Sequence, residues 1–242
     1  VDSIGRGHKR GVRNLAISDC IQAQAPVICS GGRDGVICFW APRKAEIIRK
    51  ITPRCAEIKT MTVFQHGGLT LLILGTKDGK VVVFDAATNC EVKTFLGHRS
   101  CVLCSAATYN GAYLDGEPLN LKFISIATGG KYKTVLVWDY VKGKRKRKLK
   151  HPKLVTCLAM AKESVKPVLI SGCSNGQLYL WDIKLGLVLR TFSGHCEKIY
   201  RWGCGCGAGG KHFSILMALM HLFIILCCAV CVLYCTVLYC TV

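Results

Sequence analysis

Cys101 and Cys104 stand as Cys-x-x-Cys, a spacing at which two thiols can exchange a disulfide or share a zinc ion. A structural zinc site needs four ligands, and no second pair of matching spacing occurs nearby. Both cysteines fall in an apolar, strand-like run, where a free thiol behaves as a small buried hydrophobe. Core packing is therefore their expected role, and no metal is expected. Cys204-x-Cys206 is a second close pair, set among glycines. The chain has 17 cysteines, yet Cys20, Cys29, Cys38, Cys157 and Cys173 sit singly in apolar runs. No secretory segment opens the chain, so reduced thiols in the cytoplasm or nucleus are expected. No phosphate-binding glycine loop, nucleophile–base pair or paired-carboxylate motif stands out. No catalytic residue and no cofactor is assigned, and an enzyme is not expected.

Positive charge is the other chemical resource. Lys and Arg number 33 against 14 acidic residues, a net charge of +19. Lys142 to Lys150 carries seven of these cations in nine positions. Such a run can serve nuclear import or nucleic-acid binding. It can equally be a charged edge strand that blocks unwanted pairing. Arg33, Lys77 and Lys131 each precede a turn residue, at one repeated place, with Ser174 in the fourth copy. Three cations so repeated favour an acidic or phosphorylated ligand, or are an ordinary solvated turn. No aromatic interleaving accompanies them to stack single-stranded bases.

The place they share belongs to a pattern written four times. Ser30-Gly31-Gly32-Arg33-Asp34-Gly35 leads to Trp40, and Leu74-Gly75-Thr76-Lys77-Asp78-Gly79 leads to Phe84-Asp85. Thr128-Gly129-Gly130-Lys131-Tyr132-Lys133 leads to Trp138-Asp139, and Ser171-Gly172-Cys173-Ser174-Asn175-Gly176 leads to Trp181-Asp182. The aromatics stand 44, 54 and 43 positions apart. Apolar alternation between turn signals predicts four strands per copy. They fall at 12–18, 26–30, 36–40 and 46–51; 58–64, 70–74, 80–84 and 91–95; 101–107, 122–128, 134–138 and 144–149; 154–160, 167–171, 177–181 and 187–192. Asp34-Gly35, Asp78-Gly79 and Asn175-Gly176 read as hairpin turns that need a positive φ. Residues 110–120, with two glycines and a proline, read as a surface insertion.

Over residues 5–200 these motifs resemble the WD-repeat β-propeller family. The resemblance implies an all-β fold, a partial propeller of four-stranded antiparallel blades packed side by side. Blades are expected at 5–52, 53–96, 97–150 and 151–193, with the start of a fifth at 194–202. The family most often closes with about seven blades. It also implies a buried polar tetrad of Gly-His histidine, Ser or Thr, turn Asp and Trp. Copy one supplies His8, Ser30, Asp34 and Trp40. Copy three supplies His98, Thr128 and Trp138, and copy four His151, Ser171 and Trp181. Copy two keeps only Asp78. These histidines are expected to be structural. Arg33, Lys77 and Lys131 are then expected on one rim, facing partner proteins.

Beyond residue 202 the composition changes: Lys211 is the last formal charge. Residues 203–212 read as a Gly/Cys linker, and 213–242 as an apolar tail. The stretch 213–233 is long enough for a membrane helix, which needs about 20 apolar residues. It reads either as a membrane anchor or as a translation artefact, because Val232-Leu233-Tyr234-Cys235-Thr236 recurs at once as residues 237–241. With Val1 in place of Met, the chain reads as a fragment. Three functions remain open: an interaction scaffold, a membrane-tethered adaptor, and an RNA- or ribosome-associated propeller.

Overall fold

The computed structural model describes residues 7–18, 27–53, 55–111, 119–160 and 167–195, all within the compact unit Val1–Trp202. The start of a fifth blade past residue 195, the linker and the tail lie outside the described residues, as do Cys20 and most of the 110–120 insertion.

Four antiparallel sheets of four strands account for the described chain, each in sequence order. The first blade holds β1 (Val12–Ser18), β2 (Val27–Gly32), β3 (Ile37–Ala41) and β4 (Glu46–Ile51). The second holds β5 (Ile58–His66), β6 (Leu69–Thr76), β7 (Val81–Asp85) and β8 (Glu91–Phe95). The third holds β9 (Val102–Tyr109), β10 (Ile124–Gly130), β11 (Thr134–Asp139) and β12 (Arg145–Lys150). The fourth holds β13 (Val155–Met160), β14 (Val168–Cys173), β15 (Gln177–Asp182) and β16 (Leu187–Ser193).

The second strand of each blade differs from expectation in one respect: it runs two residues further, through the glycines read as turn. Gly31 still pairs with both Asn14 and Ile37, so the bend starts only at Arg33. In the third blade the second strand also begins later. Leu121–Phe123 forms a single 3₁₀ turn, capped by the Asn120 side chain, which accepts from the Lys122 N–H.

Each blade is apolar on both faces, so it buries them only between neighbours. Phe39 and Ile37 of the first blade meet Ile58, Leu72, Leu74 and Phe84 of the second. Ile73, Val83 and Phe95 of the second meet Val102, Ile126 and Trp138 of the third. Val135, Val137 and Leu149 of the third meet Val155, Leu169 and Trp181 of the fourth.

One knob-and-notch contact recurs at every junction. A β-carbon on Gly31 would lie 3.3 Å from Ile58 Cγ2, one on Gly75 2.6 Å from Val102 Cγ1, and one on Gly129 2.9 Å from Val155 Cγ1. A side chain at Gly75 or Gly129 would collide with the next blade's first apolar residue, and one at Gly31 would crowd it. Ile58, Val102 and Val155 are fully buried by this contact, whereas Val12, their counterpart in the first blade, is 49% exposed. Leu15 and Ile17 beside it are also exposed.

A cation on the outer strand of each of the first three blades clamps the next blade. Arg49 donates to the Ala86 carbonyl (3.1 Å), Lys93 to the Tyr140 carbonyl (2.7 Å) and Arg147 to the Lys184 carbonyl (2.7 Å). These three occupy one register, paired with Phe39, Val83 and Val137. Arg147 belongs to the basic run, which forms edge strand β12. Arg145, Lys146, Arg147, Lys148 and Lys150 are exposed there, and Leu149 is buried.

Candidate partner rim and the polar networks beneath it

The turn between the second and third strands brings its residues to one end of each blade. In the first blade the Trp40 indole N–H donates to Ser30 Oγ (2.7 Å), and Ser30 lies 2.8 Å from His8 Nε2. His8 Nδ1 lies 3.1 Å from Asp34 Oδ1. One proton arrangement satisfies every group: indole to hydroxyl, hydroxyl to Nε2, and Nδ1–H to carboxylate. Asp34 also accepts from the Lys9 N–H (2.7 Å) and the Val36 N–H (3.2 Å). Burial works against the carboxylate's charge, but the bonds from His8, Lys9 and Val36 outweigh it and hold the pKa below the usual value. Ser, His and Asp here have the order of a hydrolase triad. Ser30 is only 2% exposed and its oxygen accepts the indole N–H, so no substrate carbonyl can reach it.

The other blades keep part of this set. His98 Nε2 lies 2.7 Å from Thr128 Oγ1, which accepts from Trp138 at 2.7 Å. Tyr132, at the Asp place, is exposed. His151 Nε2 lies 2.7 Å from Ser171 Oγ, which accepts from Trp181 at 2.9 Å. His151 Nδ1 turns to the Leu149 carbonyl at 3.2 Å, while Asn175 bonds Gln177 instead. Burial lowers the pKa of both His98 and His151 to about 4, partly offset by their hydrogen bonds. In the second blade Asp78 accepts from the Thr76 hydroxyl, which also accepts from the Lys80 N–H (3.0 Å). Phe84 and Leu74 pack where the other blades keep the Trp and the Ser or Thr.

Above these networks lie the turn cations. Their backbone N–H groups are anchored alike: Arg33 to the Gly11 carbonyl (3.0 Å), Lys77 to Glu57 (2.9 Å), Lys131 to Cys101 (3.3 Å) and Ser174 to Leu154 (2.9 Å). The turns are therefore equivalent, but their surroundings differ. Arg33 and Lys77 line one cavity of about 680 Å³ together with Arg10, Gly11, Glu57 and Lys59. Lys131 is not among its lining residues. Glu57 is the hub: Lys59 Nζ lies at 2.7 Å, Arg33 Nε at 3.5 Å and Lys77 Nζ at 3.9 Å. The hydrogen bond from Lys59 is the main reason the Glu57 pKa falls below the usual range, helped by the charges of Lys77 and Arg33. Arg10, Glu57 and Lys59 were not singled out by spacing. Their common signal is position, within two residues of the start of a first strand.

The remaining candidates resolve into packing. Cys104 is buried against the fourth blade, and Cys101 precedes the strand at intermediate exposure. Burial pushes the Cys104 thiol well up and raises Cys29 and Cys173 to about 12. Such thiols are poor nucleophiles and poor ligands. Among the described residues no group of three or more His, Cys, Asp or Glu could hold a metal ion. Among them, too, no helix is long and apolar enough to cross a membrane. The stretch 213–233 lies outside them.

The family profile described as "WD domain, G-beta repeat" matches residues 2–41, 89–139 and 143–182. It leaves out most of the second blade, where Phe84 and Leu74 replace the polar pair. The chain is 21% identical over 207 residues to Mitochondrial division protein 1 of Eremothecium gossypii, covering 74% of this chain and 27% of that protein. It is 25% identical over 190 residues to Apoptotic protease-activating factor 1 of Rattus norvegicus, covering 78% and 14%. The CCR4-associated factor 4 homolog of Candida glabrata is 25% identical over 219 residues, covering 78% and 34%. Among solved structures, the RRP9 WD40 repeats and U3-55K each superpose with a TM-score of 0.62 at 20% identity, covering 81% of this chain and 55% of theirs. This chain thus spans a minor part of those curated relatives and about half of those structures.

Proposed function

We propose, from the premise that this chain belongs to the WD40-repeat family, that it is a non-enzymatic scaffold whose blade rim docks partner proteins. The observation that carries this reading is the convergence of Arg33 and Lys77 on one open cavity at the turn end of two adjacent blades. Members of the family typically act as protein-interaction scaffolds. A rigid blade stack suits that task, because it holds turn side chains at fixed spacing without ordering cost on binding. Arg33, Lys77 and Lys131 are the rim cations, and an acidic or phosphorylated partner suits them. Reversing all three to Glu in the full-length chain tests the assignment by affinity capture and quantitative mass spectrometry. Loss of a partner set retained by the native chain is expected. Capture of every partner by the reversed variant removes the rim.

A second reading, an RNA- or ribosome-associated propeller, is favoured by the exposed cations of β12. It requires affinity that falls steeply with salt, and a flat salt profile rejects it.

A further inference from the structure

We propose that the cavity between the first and second blades is a phosphate site, taking the phosphate monoester of a phosphorylated peptide. The inference rests on the rim reading above and narrows it to one junction and one ligand chemistry.

Charge count is the first argument. Arg10, Arg33, Lys59 and Lys77 line the cavity against the single carboxylate of Glu57. The lining therefore carries a surplus of three positive charges. A phosphate monoester brings about −1.5 to −2 at neutral pH, and a peptide carboxylate only −1. The dianion neutralises most of the surplus, whereas one acidic side chain leaves most of it in place.

Preorganisation is the second. The Arg33 and Lys77 turns are each pinned by a backbone hydrogen bond to the residue ahead of the blade's first strand. Glu57 then draws Lys59, Arg33 and Lys77 to within 2.7–3.9 Å of its oxygens. Cations that would otherwise spread apart are held together beside an open space. Arg33 meets Glu57 through Nε, its side chain is still half-exposed, and a guanidinium fork matches phosphate oxygens.

The third argument is that the other junctions lack the set. At the places of Arg10, Gly11, Glu57 and Lys59 across the second and third blades, the chain has Ala56, Glu57, Cys101 and Leu103. Across the third and fourth it has Ser100, Cys101, Leu154 and Thr156. Around Lys131 the places that hold Arg10, Gly11, Glu57 and Lys59 around Arg33 are thus filled by neutral Ser100, Cys101, Leu154 and Thr156.

The test is fluorescence anisotropy on the full chain with a short labelled peptide of Gly, Ala and Ser carrying one central phosphoserine. The same peptide with Ser or Glu at that place is the comparison. At least tenfold tighter binding of the phosphorylated peptide is expected. The advantage disappears in Arg33→Ala/Lys77→Ala and survives in Lys131→Ala. An unchanged thermal midpoint of the double variant without peptide separates this loss from misfolding. Equal binding of the three peptides overturns the proposal. So does an advantage that persists in the double variant. A short single-stranded RNA that displaces the phosphopeptide at lower concentration than the peptide itself binds also overturns it, in favour of nucleic-acid phosphate. Should the peptides fail while charge reversal still strips partners from the chain, the rim reading stands and only the phosphate assignment falls.

Discussion

Arg147 Nη2 donates to the Lys184 carbonyl at 2.7 Å, joining the outer strand of the third blade to the turn of the fourth. A charge-assisted bond at an exposed site contributes about 1 kcal/mol. Arg147→Ala is therefore expected to lower stability by about that amount. Lys146→Ala and Lys148→Ala on the same strand are expected within about 0.5 kcal/mol of the native chain. Urea unfolding curves distinguish the three. Equal effects would mean that the basic run acts only through bulk charge.

Thr128→Val keeps the shape of a fully buried residue and removes its hydroxyl. The buried Trp138 indole N–H and the partly buried His98 Nε2 then lose a shared partner. A loss of about 2–3 kcal/mol is expected. The corresponding Leu74→Val in the second blade, where no such network exists, is expected to cost about 1 kcal/mol through volume alone.

Acid destabilises the fold in a window set by His98 and His151. Their folded pKa is about 4 against an ordinary 6.5. As pH falls through 6.5 the unfolded chain takes up protons that the folded chain refuses, so stability declines from 6.5 toward 4 and gains nothing above 6.5. Asp34 and Asp78, whose carboxylates are held below their usual 3.8, add a second decline below that value. Unfolding free energy measured across this range should be flatter between pH 6.5 and 4 in His98→Gln/His151→Gln. An unchanged slope would show that other groups set the acid limit.

Ala45 has a φ of 54°, in the left-handed region, at the place held by Gly143 and Gly186 in the later blades. Its N–H bonds the Ala41 carbonyl at 2.9 Å, as Gly143 bonds Asp139 at 3.0 Å. Ala45→Gly removes the steric penalty and is expected to stabilise by about 0.5–1 kcal/mol, net of unfolded-state entropy. A lower midpoint in thermal unfolding would refute the strain.

The strands were legible because the signals that mark them are local: a glycine bend, an aromatic six residues on, and alternation between. The left-handed positions were legible at Gly35, Gly79 and Gly176 and hidden at Ala45 and Lys133, whose residue types do not announce a positive φ. The clamps from Arg49, Lys93 and Arg147 were hidden for another reason. A cation on an exposed strand looks like solubility until the next blade's carbonyl is seen beside it. The grouping of Arg10 and Arg33 with Glu57, Lys59 and Lys77 depends on how two blades abut, which no spacing within one copy encodes. Lys131 shares their place in the repeat and not their neighbours.

The bare Val12, Leu15 and Ile17 surface has a consequence for how the molecule comes apart. With these apolar side chains exposed, β1 gains less from burial than β5, β9 and β13, and amide exchange is expected to be faster in β1. The cationic cavity lies at the junction of the first and second blades, with Arg10 and Arg33 on one lip and Lys59 and Lys77 on the other. An occupant bound as proposed would bridge two blades, so that capture and heat resistance would rise together.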